Sequence, residues 1–113
     1  MIDKVEISKD IIRGHIDVII LSLIRDKDMY GYEVYKEVIT RTASLYELKE
    51  PSLYSAFRRL EAAGYIRSYW GEESLGARRK YYSITEVGRE YFICSRSEWK
   101  KIKSVLDMLI GDE

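Results

Sequence analysis

Apolar residues change their period along this chain, and each change marks an element. Between positions 10 and 26, Ile12, Ile16, Ile19 and Leu23 recur at helical spacing. Ile11, Val18 and Ile20 add apolar surface on other faces of the same helix. A helix apolar over so much of its circumference needs a second surface to bury against, and in a short chain another copy can supply it. Val34, Val38 and Ile39 form the inner face of a helix over 30–42, and residues 43–49 connect it to the next. Leu53, Phe57 and Leu60 fall at i, i+4 and i+7 and predict a third helix over 51–63. Pro51 suits its first position, and Gly64 is placed to end it in a left-handed conformation. Residues 65–70 and 78–84 are rich in aromatic and β-branched types and predict two strands around a loop at 71–77. Thr85 caps a last helix, Glu86 lies in its favourable first turn, and Gly111 can stop it after Ile110.

The order gives a fold class: mainly α with a small β-hairpin, a winged helix-turn-helix followed by a long C-terminal helix. Residues 1–84 are expected to form the DNA-binding domain, with helix 10–26 also contributing to a dimer, and 85–113 the dimerisation helix. A short basic helix beside an arginine-bearing hairpin suits a major groove and its flanking phosphates. Net charge is zero, but distribution matters more than the sum. From Lys49 to Lys80, seven basic residues (Lys49, Arg58, Arg59, Arg67, Arg78, Arg79, Lys80) face four acidic ones (Glu50, Glu61, Glu72, Glu73). A locally basic face on a neutral protein lowers non-specific affinity while permitting a specific site.

Ser52, Tyr54, Ser55, Arg58 and Arg59 are the candidate recognition-helix contacts. The structural alternatives are a packed Tyr54 with its hydroxyl in solvent, and an Arg59 salt bridge with Glu61 or Glu33. Tyr30 and Tyr32 are candidate phosphate contacts or simple packing residues. Gly31 allows a close approach, either by the first helix or by a phosphate at the helix N-terminus. Arg78 and Lys80 share one face of their strand and Arg79 takes the other. The glutamates of the wing loop would repel phosphate, so the wing should contact DNA through its Arg78 side.

Several ordered motifs resemble the PadR-like transcriptional regulators: Tyr30-Gly31-Tyr32-Glu33, Leu53-Tyr54, Arg58-Arg59-Leu60-Glu61, Gly64, Arg79-Lys80-Tyr81-Tyr82 and Thr85-Glu86-x-Gly88. The resemblance spans roughly residues 10–110 and is nearest to the short multidrug-sensing subfamily, with one winged-helix domain and one C-terminal helix. It implies a homodimeric repressor that binds double-stranded DNA at an inverted repeat. In several such proteins a small hydrophobic or phenolic ligand relieves repression. Two positions depart from the pattern. Glu50 stands where small polar residues are common, and Ser55 where many relatives carry proline.

In the last helix, about 38 Å long, Phe92, Trp99 and Leu106 repeat every seven residues, with Ile102 and Leu109 between. That reads as a short coiled-coil-like seam, and otherwise as a helix folded back on its own core. The expected dimer interface is Ile11, Val18, Phe92, Trp99, Ile102, Leu106 and Leu109. Two Trp99 side chains meeting across a two-fold axis can pack together or frame a cavity for a flat aromatic ligand. In the multidrug-sensing members a tryptophan at the matching position lies in such a pore. The expected pocket is then Ile11, Gly14, His15, Asp17, Val18, Arg96, Trp99 and Lys103. Arg96 and Lys103 suit an anionic or neutral aromatic better than a cation, or else pair with Asp17 and Glu98.

Composition removes other classes. At 46% hydrophobic the chain is not disordered, and its length fits one domain with a modest core. It has no apolar run long enough for a membrane span, and no signal peptide is expected. A single cysteine, Cys94, allows no internal disulfide and fits a cytoplasmic setting. The single histidine and cysteine show no triad or metal spacing and there is no phosphate-cradling glycine loop, so neither an enzyme nor a metal or cofactor site is expected. Two other readings remain: a winged-helix protein-interaction adaptor, and a constitutive DNA binder with a closed, ligand-free dimer centre.

Overall fold

In the computed structural model, which describes residues 8–72 and 78–111, the first predicted helix is divided at Gly14. It becomes α1 (Lys9–Arg13) and α2 (Ile16–Ile24), with Gly14 and His15 as the turn between them. Glycine costs about 1 kcal/mol against alanine inside a helix, so a break is least expensive there. The two halves differ in burial. α1 buries no residue, whereas α2 sinks Ile20, Leu21 and Ile24 into the core.

The chain continues through β1 (Met29–Tyr30), α3 (Gly31–Arg41), α4 (Glu50–Ala62), β2 (Ile66–Trp70), β3 (Lys80–Ile84) and α5 (Glu86–Ile110). This is a mainly helical winged helix with a long C-terminal helix. β1 is an element the sequence did not predict. It pairs antiparallel with β3, Met29 opposite Tyr82 and Tyr30 opposite Tyr81, giving a sheet of order β1-β3-β2. On the other side of β3, Ile66 faces Ile84 and Trp70 faces Lys80. β3 begins at Lys80, so Arg78 and Arg79 precede the ladder. Residues 73–77, the tip of the predicted wing loop, lie outside the described residues.

One apolar core joins these layers. Leu53, Ala56, Phe57 and Leu60 of α4 are buried against α2, α3 and the sheet. Tyr82 stacks on Phe57 with ring centroids 3.9 Å apart and planes within 8°. Each such large side chain contributes roughly 1.5–3 kcal/mol of hydrophobic stabilisation. Gly64, at φ 82°, turns the chain from α4 toward β2, as its position in the sequence predicted. Thr85 caps α5, its hydroxyl oxygen accepting from the Gly88 N–H at 3.0 Å.

α5 has two regimes. Gly88 and Phe92 are buried against the body, and Ser95 is half-buried. Every residue from Arg96 to Gly111 is exposed. Phe92 is therefore not a seam residue: at 3% exposure it belongs to the core of its own chain. The seven-residue phase carries the same stripe past the edge of the body, where Trp99, Ile102, Leu106 and Leu109 lie uncovered within the protomer.

Candidate nucleic-acid interface

With Leu53, Ala56, Phe57 and Leu60 turned inward, the 3.6-residue period places Pro51, Ser55, Arg58 and Ala62 along the outermost line of α4. Tyr54 and Glu61 flank that line on one side, and Ser52 and Arg59 on the other. Pro51, Ser52, Tyr54, Ser55, Arg58 and Arg59 are all exposed. Arg58 is in no ion pair among the described residues.

On the Tyr54 side, α3, α4 and the wing converge. A shallow groove of about 360 Å³ is lined by Tyr30, Gly31, Tyr32, Tyr54, Trp70, Arg78, Arg79, Lys80 and Tyr82. Six candidate DNA contacts thus share one concavity: Tyr30, Tyr32, Tyr54, Arg78, Arg79 and Lys80. Tyr30 precedes α3, and its backbone N–H donates to Glu33 Oε1 at 3.2 Å, which fixes the helix start. Its ring meets Tyr81 edge-on at 5.5 Å and carries the Arg79 guanidinium at 4.6 Å. Tyr32 is exposed, stacks on Tyr35 at 6.0 Å and carries the Lys36 ammonium at 5.3 Å. Gly31 admits a neighbour the sequence did not suggest: a methyl group there would collide with the hydroxyl end of Tyr54. Tyr54 packs edge-on against Phe57 at 5.6 Å. Burial, and then the Glu50 carboxylate, push its hydroxyl above the ordinary tyrosine value, so it stays a neutral hydrogen-bonding group.

The other flank of α4 is different. Ser52, Ser55 and Arg59 border a wider cleft of about 700 Å³ shared with Lys9, Ile12 and Arg13 and with the 44–49 connection. Arg59 is not held by Glu61 or Glu33. It forms a two-pronged ion pair with Asp17 of α2, with Nε 3.2 Å from Oδ2 and Nη2 closing on Oδ1. The hydrogen bond to Asp17 holds the guanidinium above its ordinary value. A candidate DNA contact and a candidate pocket residue are thereby paired with each other.

The model of the PadR-like transcriptional regulator family matches residues 20–93, which run from Ile20 of α2 to Ile93 of α5 and include β1, α3, α4, β2 and β3. The chain belongs to the PadR-like family of transcriptional regulators. A transcriptional regulator from Clostridium thermocellum is 50% identical, with 90% of this chain and 96% of that one covered and a TM-score of 0.84. A PadR family regulator from Clostridium difficile is 40% identical, covering 87% of this chain and all of that one, with a TM-score of 0.76. An uncharacterized protein of Lysinibacillus sphaericus is 44% identical over 92% of this chain and 95% of its own length. Membership makes this chain a DNA-binding transcriptional regulator.

The remaining sequence candidates of this PadR-like protein sit away from the groove. Ile11 of α1 is 72% exposed, Gly14 is exposed, and His15, Asp17 and Val18 are half-buried at the α1–α2 turn and the start of α2. Trp99 is 41% exposed, and the Lys103 ammonium lies 5.3 Å from its ring centroid. The Arg96 guanidinium sits over Phe92 at 5.1 Å. Neither cation pairs with Asp17 or Glu98 among the described residues. Among those residues no helix is long and apolar enough to cross a membrane. Sequence reasoning missed Trp70 and Lys36 as neighbours of the site. The only signal for Trp70 was a large aromatic at a strand end beside a basic segment.

Proposed function

We propose that this protein is a homodimeric repressor. In this reading it binds an inverted-repeat operator through α4 and the wing, and a planar aromatic ligand at the dimer centre releases it. The observation that carries the DNA-binding part is the convergence of Tyr30, Tyr32, Tyr54, Arg78, Arg79 and Lys80 on one groove beside the exposed Arg58. Arginines, a lysine and tyrosine hydroxyls on one surface suit phosphates and base edges together. A two-fold dimer would place two such surfaces on half-sites about one helical turn apart.

Dimerisation is supported by the exposed stripe of Trp99, Ile102, Leu106 and Leu109 and by the exposed Ile11 of α1, whereas the half-buried Val18 of α2 packs against the core of its own protomer. The ligand part rests on Trp99, a large half-exposed π-face on that stripe. Lys103 already supplies one cation to the ring, so an anionic or neutral aromatic suits it better than a second cation. Ligand and operator have a physical route to each other. Asp17 belongs to the proposed pocket and holds Arg59 of the recognition helix. A ligand that draws Asp17 away or wedges α5 changes the placement of α4, and such couplings are typically about 1–3 kcal/mol.

The test begins with random duplex at low salt. Binding should fall linearly in log affinity against log salt, by roughly 0.9 per phosphate neutralised. Absence of salt-dependent binding would leave a protein-interaction adaptor. Tryptophan fluorescence during titration with flavin-like, phenolic and cationic dyes then tests the ligand. Trp70 also emits, so Trp99→Phe must be run beside the parent. Quenching that persists in Trp99→Phe, or no quenching at all, rejects the pocket and leaves a constitutive DNA binder.

A further inference from the structure

Trp70 closes β2 and is 56% exposed. So large an apolar surface at a strand end contributes little to the core, yet it borders the groove. The Arg78 guanidinium lies over this ring, 5.4 Å from its centroid. Arg78 is in no ion pair among the described residues. The next residue repeats the arrangement, with Arg79 over Tyr30 at 4.6 Å. Successive side chains of an extended segment point to opposite sides, so two consecutive arginines would ordinarily splay apart. Here each finds a different aromatic ring, and both rings line the same groove.

We propose that Trp70 is a positioning residue for DNA recognition, whose indole holds the Arg78 guanidinium in place before DNA arrives. This deepens the DNA-binding reading and rests on it. An arginine free in solvent loses most of its rotamer freedom when it meets a phosphate or a base edge. Seating the flat guanidinium on a flat ring removes part of that loss in advance and leaves its edge N–H groups free to donate. A packing role alone would require only apolar bulk, which leucine supplies. A seat for a cation requires an aromatic face.

The parent protein is compared with Trp70→Leu, Trp70→Phe and Arg78→Ala, with thermal unfolding as the check on folding. In the free protein, NMR should find the Arg78 Cδ protons shifted upfield by the ring current. The shift should persist in Trp70→Phe and vanish in Trp70→Leu. With a labelled duplex, Trp70→Leu should weaken binding about two- to fivefold per wing, while Trp70→Phe stays near the parent. The salt slope of Trp70→Leu should remain that of the parent, because the charge is still present. In Arg78→Ala it should drop by about one if the contact is to a phosphate. Parent affinity in Trp70→Leu, or no ring-current shift in the parent, overturns the proposal while DNA binding stands. A parent that binds no duplex overturns the DNA-binding reading itself, and the role of Trp70 falls with it.

Discussion

Gly31 and Tyr54 join two helices at a single contact. Gly31→Ala would place a methyl against the Tyr54 hydroxyl, and Tyr54 is exposed enough to swing aside. The expected result is a stability loss of only about 1 kcal/mol, the low end for overpacking. DNA affinity should fall more clearly, because Tyr54 leaves the groove; thermal unfolding and anisotropy titration together separate the two effects. Strain at the 43–44 turn works in the opposite direction. Ala43 and Ser44 adopt φ of 51° and 68°, a left-handed region that costs a non-glycine residue roughly 1–2 kcal/mol. Ser44→Gly should raise the unfolding free energy by about 0.5–1 kcal/mol, seen as a higher urea midpoint; this is the relief less the entropy glycine adds to the unfolded chain. At this scale the candidate residues could be picked out of the sequence, but their partners could not. Arg59 and Asp17 are 42 positions apart, and no local spacing relates them. Their partly exposed ion pair contributes about 1 kcal/mol or less, to the placement of α4 as to the stability of the fold.

Elements were legible where a periodic stripe spans several turns. α4 lies where Leu53, Phe57 and Leu60 put it, and α5 ends at Ile110 before Gly111. β1 was not legible, because two residues carry no period; only pairing with β3 makes Met29–Tyr30 a strand. The division at Gly14 was hidden by a stripe that continues across it. Phe92 was misassigned for a physical reason: a seven-residue repeat looks the same whether its stripe faces its own body or a second chain. Gly88 explains why the first half of α5 faces its own body. A methyl there would collide with the backbone carbonyl of Tyr65, which cannot swing aside as a side chain can. Gly88→Ala should therefore cost about 2–3 kcal/mol in chemical unfolding, near the top of the overpacking range. It should also loosen α5, whereas a change at the far end of that helix should leave the fold of the protomer unaltered.

Taken whole, the molecule is a closed winged helix carrying a helical arm that none of the other described residues covers. Leu106→Lys places a charge on that arm, where burial against a second copy would leave it without a partner. Equilibrium sedimentation should find the parent dimeric at micromolar concentration and Leu106→Lys shifted to monomer, with the circular dichroism of the folded protomer retained. A monomeric parent would refute the dimer. The proposed DNA-reading face does not depend on that outcome. The most direct test of it is binding to an operator selected from random duplexes, measured at moderate salt for the parent, Arg58→Ala and Arg78→Ala. Each variant should bind more weakly. A lost phosphate contact lowers affinity for all sequences and reduces the salt slope by about one, and a lost base contact costs roughly 1–3 kcal/mol at one operator position. If both variants hold the operator as tightly as the parent does, the face formed by α4 and the wing is not the one that reads DNA.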